Sequence, residues 1–155
     1  MAERKKAIPE LQIKKLHEDA KVPEFKTEGA ACLDLHTISD CILEPTTVTT
    51  RAYRLRTGLA FEIPVGYCVK IYLRSGIGDK TKLRLANGTG IIDSDYRGEV
   101  MLLVENVGKD LVRVDMGDRI AQMEFCKLQE FTIRVVDELS ETERGEGGMG
   151  STGDN

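Results

Sequence analysis

The chain of 155 residues contains no tryptophan, and tyrosine and phenylalanine together bring the aromatic share to only 5%. A hydrophobic core must therefore rest on valine, isoleucine and leucine, which a chain of this length can bury as one domain without cross-links. Asp and Glu outnumber Lys and Arg by 26 to 22, for a net charge of −4. That balance argues against nucleic-acid binding as the main activity, although a few local arginines could still bind a small anionic substrate.

The cysteines form neither a metal-binding nor a redox pattern. Cys32, Cys41, Cys68 and Cys126 are scattered, with no C-x-x-C pair, so we interpret them as small core or interface residues in a reducing compartment. No apolar stretch follows the N-terminal MAERKKAIPE, and no apolar run approaches the ~20 residues of a membrane helix. These absences predict a soluble, cytoplasmic protein without a signal peptide.

Hydrophobic residues recur with a period of two. In YCVKIYLR, Tyr67 and Val69 alternate with Cys68 and Lys70, which is typical of a strand. Further β-rich runs lie at 11–16, 47–55, 59–63, 99–106, 111–114, 119–125 and 131–136. Turn-rich clusters separate the runs, so the pattern predicts an all-β sandwich or barrel, with one or two helical turns in GIGDKTKL.

The C-terminal residues have a different composition. The sequence SETERGEGGMGSTGDN contains five glycines and one sizeable apolar side chain, Met149. Its glycine spacing is like that of a phosphate-binding loop, but Ser151 stands in the lysine position and no helix can follow. We therefore predict a β domain over 1–139 and, over 140–155, an arm that must fold onto a ligand or a neighbouring subunit.

Four stretches of the predicted β domain combine glycines or turns with polar side chains. Asp34 in AACLDLHT could be a strand-edge carboxylate, and Arg74 in LRSGIG an exposed turn arginine or a phosphate ligand. ANGTGIIDSDYRGEV reads as a hairpin whose backbone closely approaches a ligand, or as a surface hairpin with solvated acids. Gln122 in MGDRIAQMEF could simply be a strand residue. Separately, each stretch is open to both interpretations.

Together and in this order, these stretches and the C-terminal RGEGGMGSTG resemble the five motifs of the deoxyuridine triphosphatase (dUTPase) family. The motifs are A-x-x-x-D-L, R-S-G, G-x-I-D-x-D-Y-x-G, G-x-R-I-A-Q and R-G-x-G-G-x-G-x-x-G, and the resemblance extends from about Leu11 to Gly153. It implies a jelly-roll-like β fold in a homotrimer whose sites are shared between subunits. It also implies hydrolysis of dUTP to dUMP and pyrophosphate by water attack at the α-phosphorus, which limits uracil incorporation into DNA and supplies dUMP for thymidylate synthesis.

The resemblance assigns roles by position. Asp93 matches the aspartate that orients and deprotonates the attacking water. Asp34 matches the residue that contacts the water shell of Mg²⁺, and we expect no protein residue to bind the metal directly. The implied phosphate ligands are Arg74, Ser75, Gly76, Gln122 and Arg144. The residues implied to contact uracil and deoxyribose are Asn87, Gly90, Ile91, Ile92, Tyr96 and Met101. The arm adds Gly148, Met149, Gly150, Ser151 and Thr152.

Two departures from the family pattern and two alternatives accompany this assignment. Cys32 stands where the first motif usually has glycine, and Met149 where the arm usually has a phenylalanine that stacks on uracil. The alternatives are a dCTP deaminase-like enzyme of the same fold and a regulatory trimer that binds a protein partner. The acidic hairpin IIDSDYRG and the complete arm favour the hydrolase.

Overall fold

The computed structural model describes residues 8–49 and 51–148, which form a β fold with one short helix. The elements of these residues are β1 (Gln12–Lys15), β2 (Leu33–His36), β3 (Cys41–Leu43), β4 (Tyr53–Arg56), β5 (Leu59–Glu62), β6 (Tyr67–Leu73), α1 (Ser75–Thr81), β7 (Leu83–Leu85), β8 (Gly90–Ile92), β9 (Met101–Asn106), β10 (Val112–Val114) and β11 (Arg119–Lys127). The predicted all-β class and the helical turns after the Arg-Ser-Gly stretch are confirmed.

The strands pair antiparallel in two larger sheets and two strand pairs. The larger sheets have the orders β2-β11-β6-β8 and β4-β9-β7, and β1 pairs with β5 and β10 with β3. In the four-stranded sheet, Val69, Ile71 and Met123 are almost completely buried on one face. On the opposite face Tyr72 donates a hydrogen bond to Glu124, 3.1 Å away. This two-sided character follows the period of two in the sequence.

One hydrophobic cluster joins these sheets, and it is built mainly from aliphatic side chains, as the shortage of aromatics predicts. In β9, Leu102 and Val104 point inward with Asn106, whose amide is fully buried. The Asn106 side chain donates to the carbonyls of Leu43 at 3.0 Å and Asp110 at 2.7 Å, so the buried polar group has its partners.

The cysteines are free thiols. Cys68 is buried and the other three are half-buried, which agrees with small residues in or beside the core. No helix in the described part of the chain is long and apolar enough to span a membrane.

The prediction of a strand at 131–136 is wrong for the single chain. Residues 128–148 form neither helix nor strand, and Phe131, Ile133 and Val135 are 77%, 85% and 94% exposed. The alternation of apolar residues is real, but no strand in the described part of the chain pairs with it. The run at 47–55 shortens to Tyr53–Arg56 because a turn at Pro45 accepts the N–H of Val48 at 2.9 Å.

Candidate functional site

A first cavity, of about 480 Å³, lies beside β8 and β9. We call it the hairpin cavity. It is lined by seven residues that the sequence singled out, namely Asn87, Gly90, Ile91, Ile92, Asp93, Tyr96 and Met101. The fold therefore gathers the acidic hairpin and the start of β9 into one concave surface.

Glycines allow the backbone of this hairpin to turn tightly and to lie close to β6. Gly88 has a φ of +69°, and its N–H donates to the carbonyl of Leu85 at 2.9 Å. Gly90 is paired with Ile71 of β6, and a Cβ at position 90 would lie 3.2 Å from the Cβ of Ile71. A side chain at position 90 would push β8 away from β6 and change the shape of the cavity wall.

The other side of the hairpin cavity holds Tyr96, which is 45% exposed. Its hydroxyl donates to the carbonyl of Glu99 at 3.0 Å, so the ring is held at its far end. A Cβ on Gly98 would lie 2.6 Å from Cζ of the ring. Asp93 is exposed at the same cavity. Its backbone carbonyl accepts the N–H of Tyr96 at 3.2 Å, and this hydrogen bond closes a turn over residues 93–96.

A second cavity, of about 380 Å³, lies where β6 ends and α1 begins. We call it the phosphate cavity. Its predicted lining residues are Asp34, Arg74, Ser75, Gly76 and Gln122. Three elements bring them together, because β11 lies between β2 and β6, with Gln122 opposite both Asp34 and Tyr72. Ser75 and Gly76 belong to the first turn of α1, where backbone N–H groups lack partners within the helix and suit anionic oxygens.

Asp34 holds two arginines at this cavity. Its Oδ1 lies 3.1 Å from Nε of Arg74, and its Oδ2 lies 3.2 Å from Nη1 of Arg119. The carboxylate side chain is only 10% exposed, whereas the two guanidiniums are 30% and 45% exposed. The buried carboxylate thus fixes both arginines while each keeps further N–H donors for a ligand.

Sequence reasoning missed two cations of the phosphate cavity, Lys26 and Arg119. A signal existed for Arg119, which is the arginine of the quoted GDRIAQ stretch. Lys26 carries no such signal. It lies eight residues before Asp34 and outside the A-x-x-x-D-L motif, and an isolated bridge between Glu24 and Asp34 holds this segment beside the cavity.

Electrostatics near this cavity favour an anionic ligand. Burial, followed by the nearby Glu124 carboxylate, raises the pKa of the Cys32 thiol, so this lining residue adds no negative charge. Burial also lowers the pKa of His36, and Lys21 and Lys26 lower it further. The positive charge that faces a ligand therefore comes from the arginines and Lys26.

The described part of the arm forms a local turn outside both cavities. Nε of Arg144 donates to the carbonyl of Gly147 at 2.8 Å, and Gly145 has a φ of +52°. Arg144 and Gly148 line neither the hairpin cavity nor the phosphate cavity. Met149, Gly150, Ser151 and Thr152, which the sequence also assigned to the site, lie outside the described residues.

The two cavities have no lining residue in common. Asp93 belongs to one and Arg74 to the other, so a single chain presents two separate concave surfaces, which we call half-sites.

Comparison with known proteins gives consistent matches. A family model described as dUTPase matches residues 18–153. The deoxyuridine 5'-triphosphate nucleotidohydrolase of Nautilia profundicola is 44% identical over 143 residues, which cover 92% of this chain and 98% of that protein. The dUTPase of Staphylococcus bacteriophage 80alpha, solved with dUPNHPP, has a TM-score of 0.82 at 28% identity, covering 94% of this chain and 99% of that chain. A mutant dUTPase of phage phi11 of S. aureus, described with a structural Mg(II) ion, has a TM-score of 0.75 at 23% identity over 85% of this chain and 99% of that chain.

Proposed function

This chain belongs to the dUTPase family and hydrolyses dUTP, and we propose that it does so by Mg²⁺-dependent attack of water on the α-phosphorus, in a site completed by other copies of the chain. The observation that carries this proposal is the sorting of the motif residues into two half-sites. The base and sugar residues line one cavity, and the phosphate residues line another. The fold is the jelly-roll-like β fold of the family.

The hairpin cavity selects the nucleoside. Asn87 and the backbone of Gly90 to Ile92 offer amide and peptide groups to the edge of uracil. A narrow backbone wall would reject the methyl group of thymine, and cytosine would leave buried donors unpaired, which makes such discrimination large. Tyr96 lies against the deoxyribose and leaves no room for a 2′-hydroxyl.

The phosphate cavity grips the triphosphate. Arg74, Ser75, Gly76 and Gln122 supply donors, and Arg119 adds a second guanidinium beside Arg74. Asp34 acts here as a positioning residue, because its two oxygens orient both arginines before the substrate arrives. Preorganised donors lower the reorganisation needed when charge develops on the phosphates.

Asp93 accepts a proton from the attacking water. The water oxygen forms a bond to the α-phosphorus, the bond from that phosphorus to the bridging oxygen breaks, and pyrophosphate leaves with the electron pair. A carboxylate is a weak base, so most of the rate enhancement comes from positioning and from charge stabilisation by the phosphate ligands.

The donor set fits a Mg²⁺ ion held mainly by the triphosphate. Asp34 is the only carboxylate among the residues that line the phosphate cavity, and both its oxygens already face arginines. Such a residue can accept hydrogen bonds from metal-bound water without becoming a direct ligand. When bound, Mg²⁺ neutralises part of the phosphate charge and polarises the phosphoryl oxygens.

Two observations support a homotrimer, namely the separate half-sites and the exposed C-terminal segment. Phe131, Ile133 and Val135 form an exposed apolar row that none of the strands in residues 8–49 and 51–148 covers, and such a row is suited to pairing with a neighbouring subunit. The chain thus divides into a β domain over 1–139 and an arm over 140–155. In the trimer, Arg144 and the glycines of the arm close over a nucleotide held by two other copies. The enzyme acts in the cytoplasm on the free nucleotide pool.

The direct test of specificity is pyrophosphate release from dUTP, dCTP, dTTP and UTP in the presence of Mg²⁺. We expect release from dUTP, with the other three at least about 100-fold slower at equal concentration. Ammonia release from dCTP would indicate the deaminase alternative. Binding of dUTP without turnover would indicate the regulatory one.

Subunit mixing tests the shared site. Copies carrying Asp93→Asn and copies truncated after Glu143 should each be nearly inactive alone. Mixed trimers should regain activity, because one site can then combine an intact Asp93 from one copy with an intact arm from another. Mixtures that exchange subunits and stay inactive would place the whole site within one chain.

A further inference from the structure

A third surface, outside both half-sites, carries concentrated positive charge. It is a groove of about 340 Å³ between the end of α1 and the loop that follows β9. We call it the basic groove. Three exposed lysines line it, Lys80, Lys82 and Lys109, and among the described residues these ammonium groups have no ion-pair partner. The other charged lining residues are Asp110 and Arg113, and Arg113 is already paired with Asp40 and Asp115, so the lysines outnumber the one lining carboxylate. Leu111, 64% exposed, adds an apolar contact surface to the same groove.

The groove is held by buried groups rather than by flexible loops. Besides its two donated hydrogen bonds, Asn106 accepts the N–H of Gly108 at 3.0 Å. The N–H of Val107 donates to the carbonyl of Lys82 at 3.2 Å, which ties the loop to the end of α1. Lys82 itself has a φ of +57°, a conformation that lysine seldom adopts. These contacts therefore fix the backbone positions of Lys82 and of the loop that carries Lys109.

The basic groove is continuous with the phosphate cavity. A further cavity beside α1 shares Thr81, Val112 and Arg113 with the groove, and it shares Arg74 and Arg119 with the phosphate cavity. Together the three form a trough that runs along α1 from the three lysines to the arginines held by Asp34.

The chain itself contains a segment with the complementary character. Residues 137–143, DELSETE, carry four carboxylates and no basic side chain, and all seven are exposed. Leu139 is 88% exposed in the midst of these acids, as Leu111 is exposed among the lysines. The segment ends immediately before Arg144, the proposed phosphate ligand of the arm.

We propose that the basic groove seats residues 137–143 of another copy of the chain and so guides the arm of that copy along the trough to the phosphate cavity. This inference rests on the proposed function, since it assumes that the arm closes over a site on other copies. The lysines attract the acidic segment, Leu139 packs against Leu111, and Arg144 arrives at the phosphates already oriented. Part of the ordering of the arm then occurs before the nucleotide binds, which lowers the KM for dUTP.

A charge-swap experiment tests the proposal. The groove variant is Lys80→Glu, Lys82→Glu and Lys109→Glu in the full chain. At low ionic strength we expect the KM for dUTP to rise roughly five- to tenfold, with kcat changed less than about twofold. The salt dependence of KM should also weaken, because exposed charge pairs are screened by added salt. The matched control reverses three exposed cations elsewhere, Lys14, Lys15 and Arg51, and should leave KM unchanged.

The decisive variant adds Asp137→Lys, Glu138→Lys and Glu141→Lys to the groove variant. Restoration of KM to within about twofold of the unmodified protein supports the pairing of groove and segment. A groove variant with unchanged KM would overturn the proposal. A raised KM that the swapped segment does not restore would overturn it too, and would mean that the lysines attract the nucleotide itself. Truncation after Glu143 distinguishes a failure of this proposal from a failure of the proposed function. A fully active truncated protein would contradict the closing role of the arm, whatever the effect of the lysine substitutions.

Discussion

The ring of Tyr96 lies against Gly98 so closely that a methyl group at position 98 would sit 2.6 Å from Cζ of the ring and 3.0 Å from Cε2. Only a hydrogen atom fits there. The hydroxyl of Tyr96 is meanwhile bound to the carbonyl of Glu99 at 3.0 Å. The ring therefore occupies the space beside Gly98, and a side chain at position 98 would displace it. In the proposed site this ring borders the sugar.

Gly98→Ala should displace the Tyr96 ring and weaken the exclusion of ribonucleotides. We expect kcat/KM for dUTP to fall about tenfold and the preference for dUTP over UTP to fall by at least a similar factor. The measurement is steady-state kinetics with both nucleotides. Gly29→Ala is the matched control, because a Cβ at position 29 would meet nothing within 4 Å. An alanine variant that retains full discrimination would show that the ring does not define the sugar pocket.

Asp34→Asn should loosen both arginines of the phosphate cavity. An amide has one oxygen where the carboxylate has two, so it cannot hold Arg74 and Arg119 together. We expect a loss of stability of about 1–2 kcal/mol, below the range for fully buried pairs because both arginines are partly exposed, and a fall in kcat/KM of at least about tenfold.

Asp19→Asn is the control for this variant, since Asp19 is an exposed residue beside His17 that lines none of the cavities described above. Thermal unfolding and kinetics measure the two effects. Tighter binding of dUTP by Asp34→Asn at unchanged kcat would contradict the positioning role. It would mean that Asp34 only neutralises the charge of Arg74 and Arg119.

Truncation after Glu143 should separate activity from stability. The described residues of the removed segment are exposed or form a local turn, so we expect the Tm to change by less than about 2 °C. Activity should fall by at least about 100-fold, because Arg144 and the closing glycines are lost. Calorimetry and pyrophosphate release measure the two quantities. Full activity would contradict the closing role of the arm, and a large loss of Tm would give it a structural role instead.

Lys82→Gly should stabilise the protein. Lys82 is the left-handed residue at the end of α1, where glycine has no Cβ penalty. We expect a gain of about 1 kcal/mol, or roughly 2–4 °C in Tm for a chain of this size. Lys80→Gly is the control, because that residue lies within the helix, where glycine is unfavourable. A drop in Tm for Lys82→Gly would mean that the lysine side chain itself stabilises this turn.

Much of the fold could be predicted because alternation is a local property. The period of two in Tyr67–Leu73 marked β6, and turn clusters separated the strands. β3 and β7 were missed because three residues are too few to establish a period. The run at 131–136 alternates as well as any strand, yet strand formation needs a neighbouring edge, and that partner cannot be read from the run itself.

The site could be predicted only as far as its motifs were contiguous. The seven predicted residues of the hairpin cavity and the Arg-Ser-Gly stretch lie in short segments, so the residues of each segment are close together in space. The ion pairs of Asp34 with Arg74 and Arg119 join residues 40 or more positions apart, and Lys26 enters the cavity only through the bridge at Glu24. Such contacts depend on sheet order, and the period of the strands does not determine that order.

The most direct test of the mechanism is single-turnover hydrolysis of dUTP by Asp93→Asn, measured together with its affinity for the non-hydrolysable analogue dUPNHPP. Asparagine keeps the size and hydrogen-bonding reach of the side chain but cannot accept the proton of the attacking water. We expect the rate of the chemical step to fall by at least about 1000-fold, while the Kd of the analogue stays within about threefold of that of the unmodified protein. Asp79→Asn, at an exposed position of α1 outside the cavity linings, is the control and should keep its rate. An Asp93→Asn protein that hydrolyses dUTP within a few-fold of the unmodified rate would contradict the account.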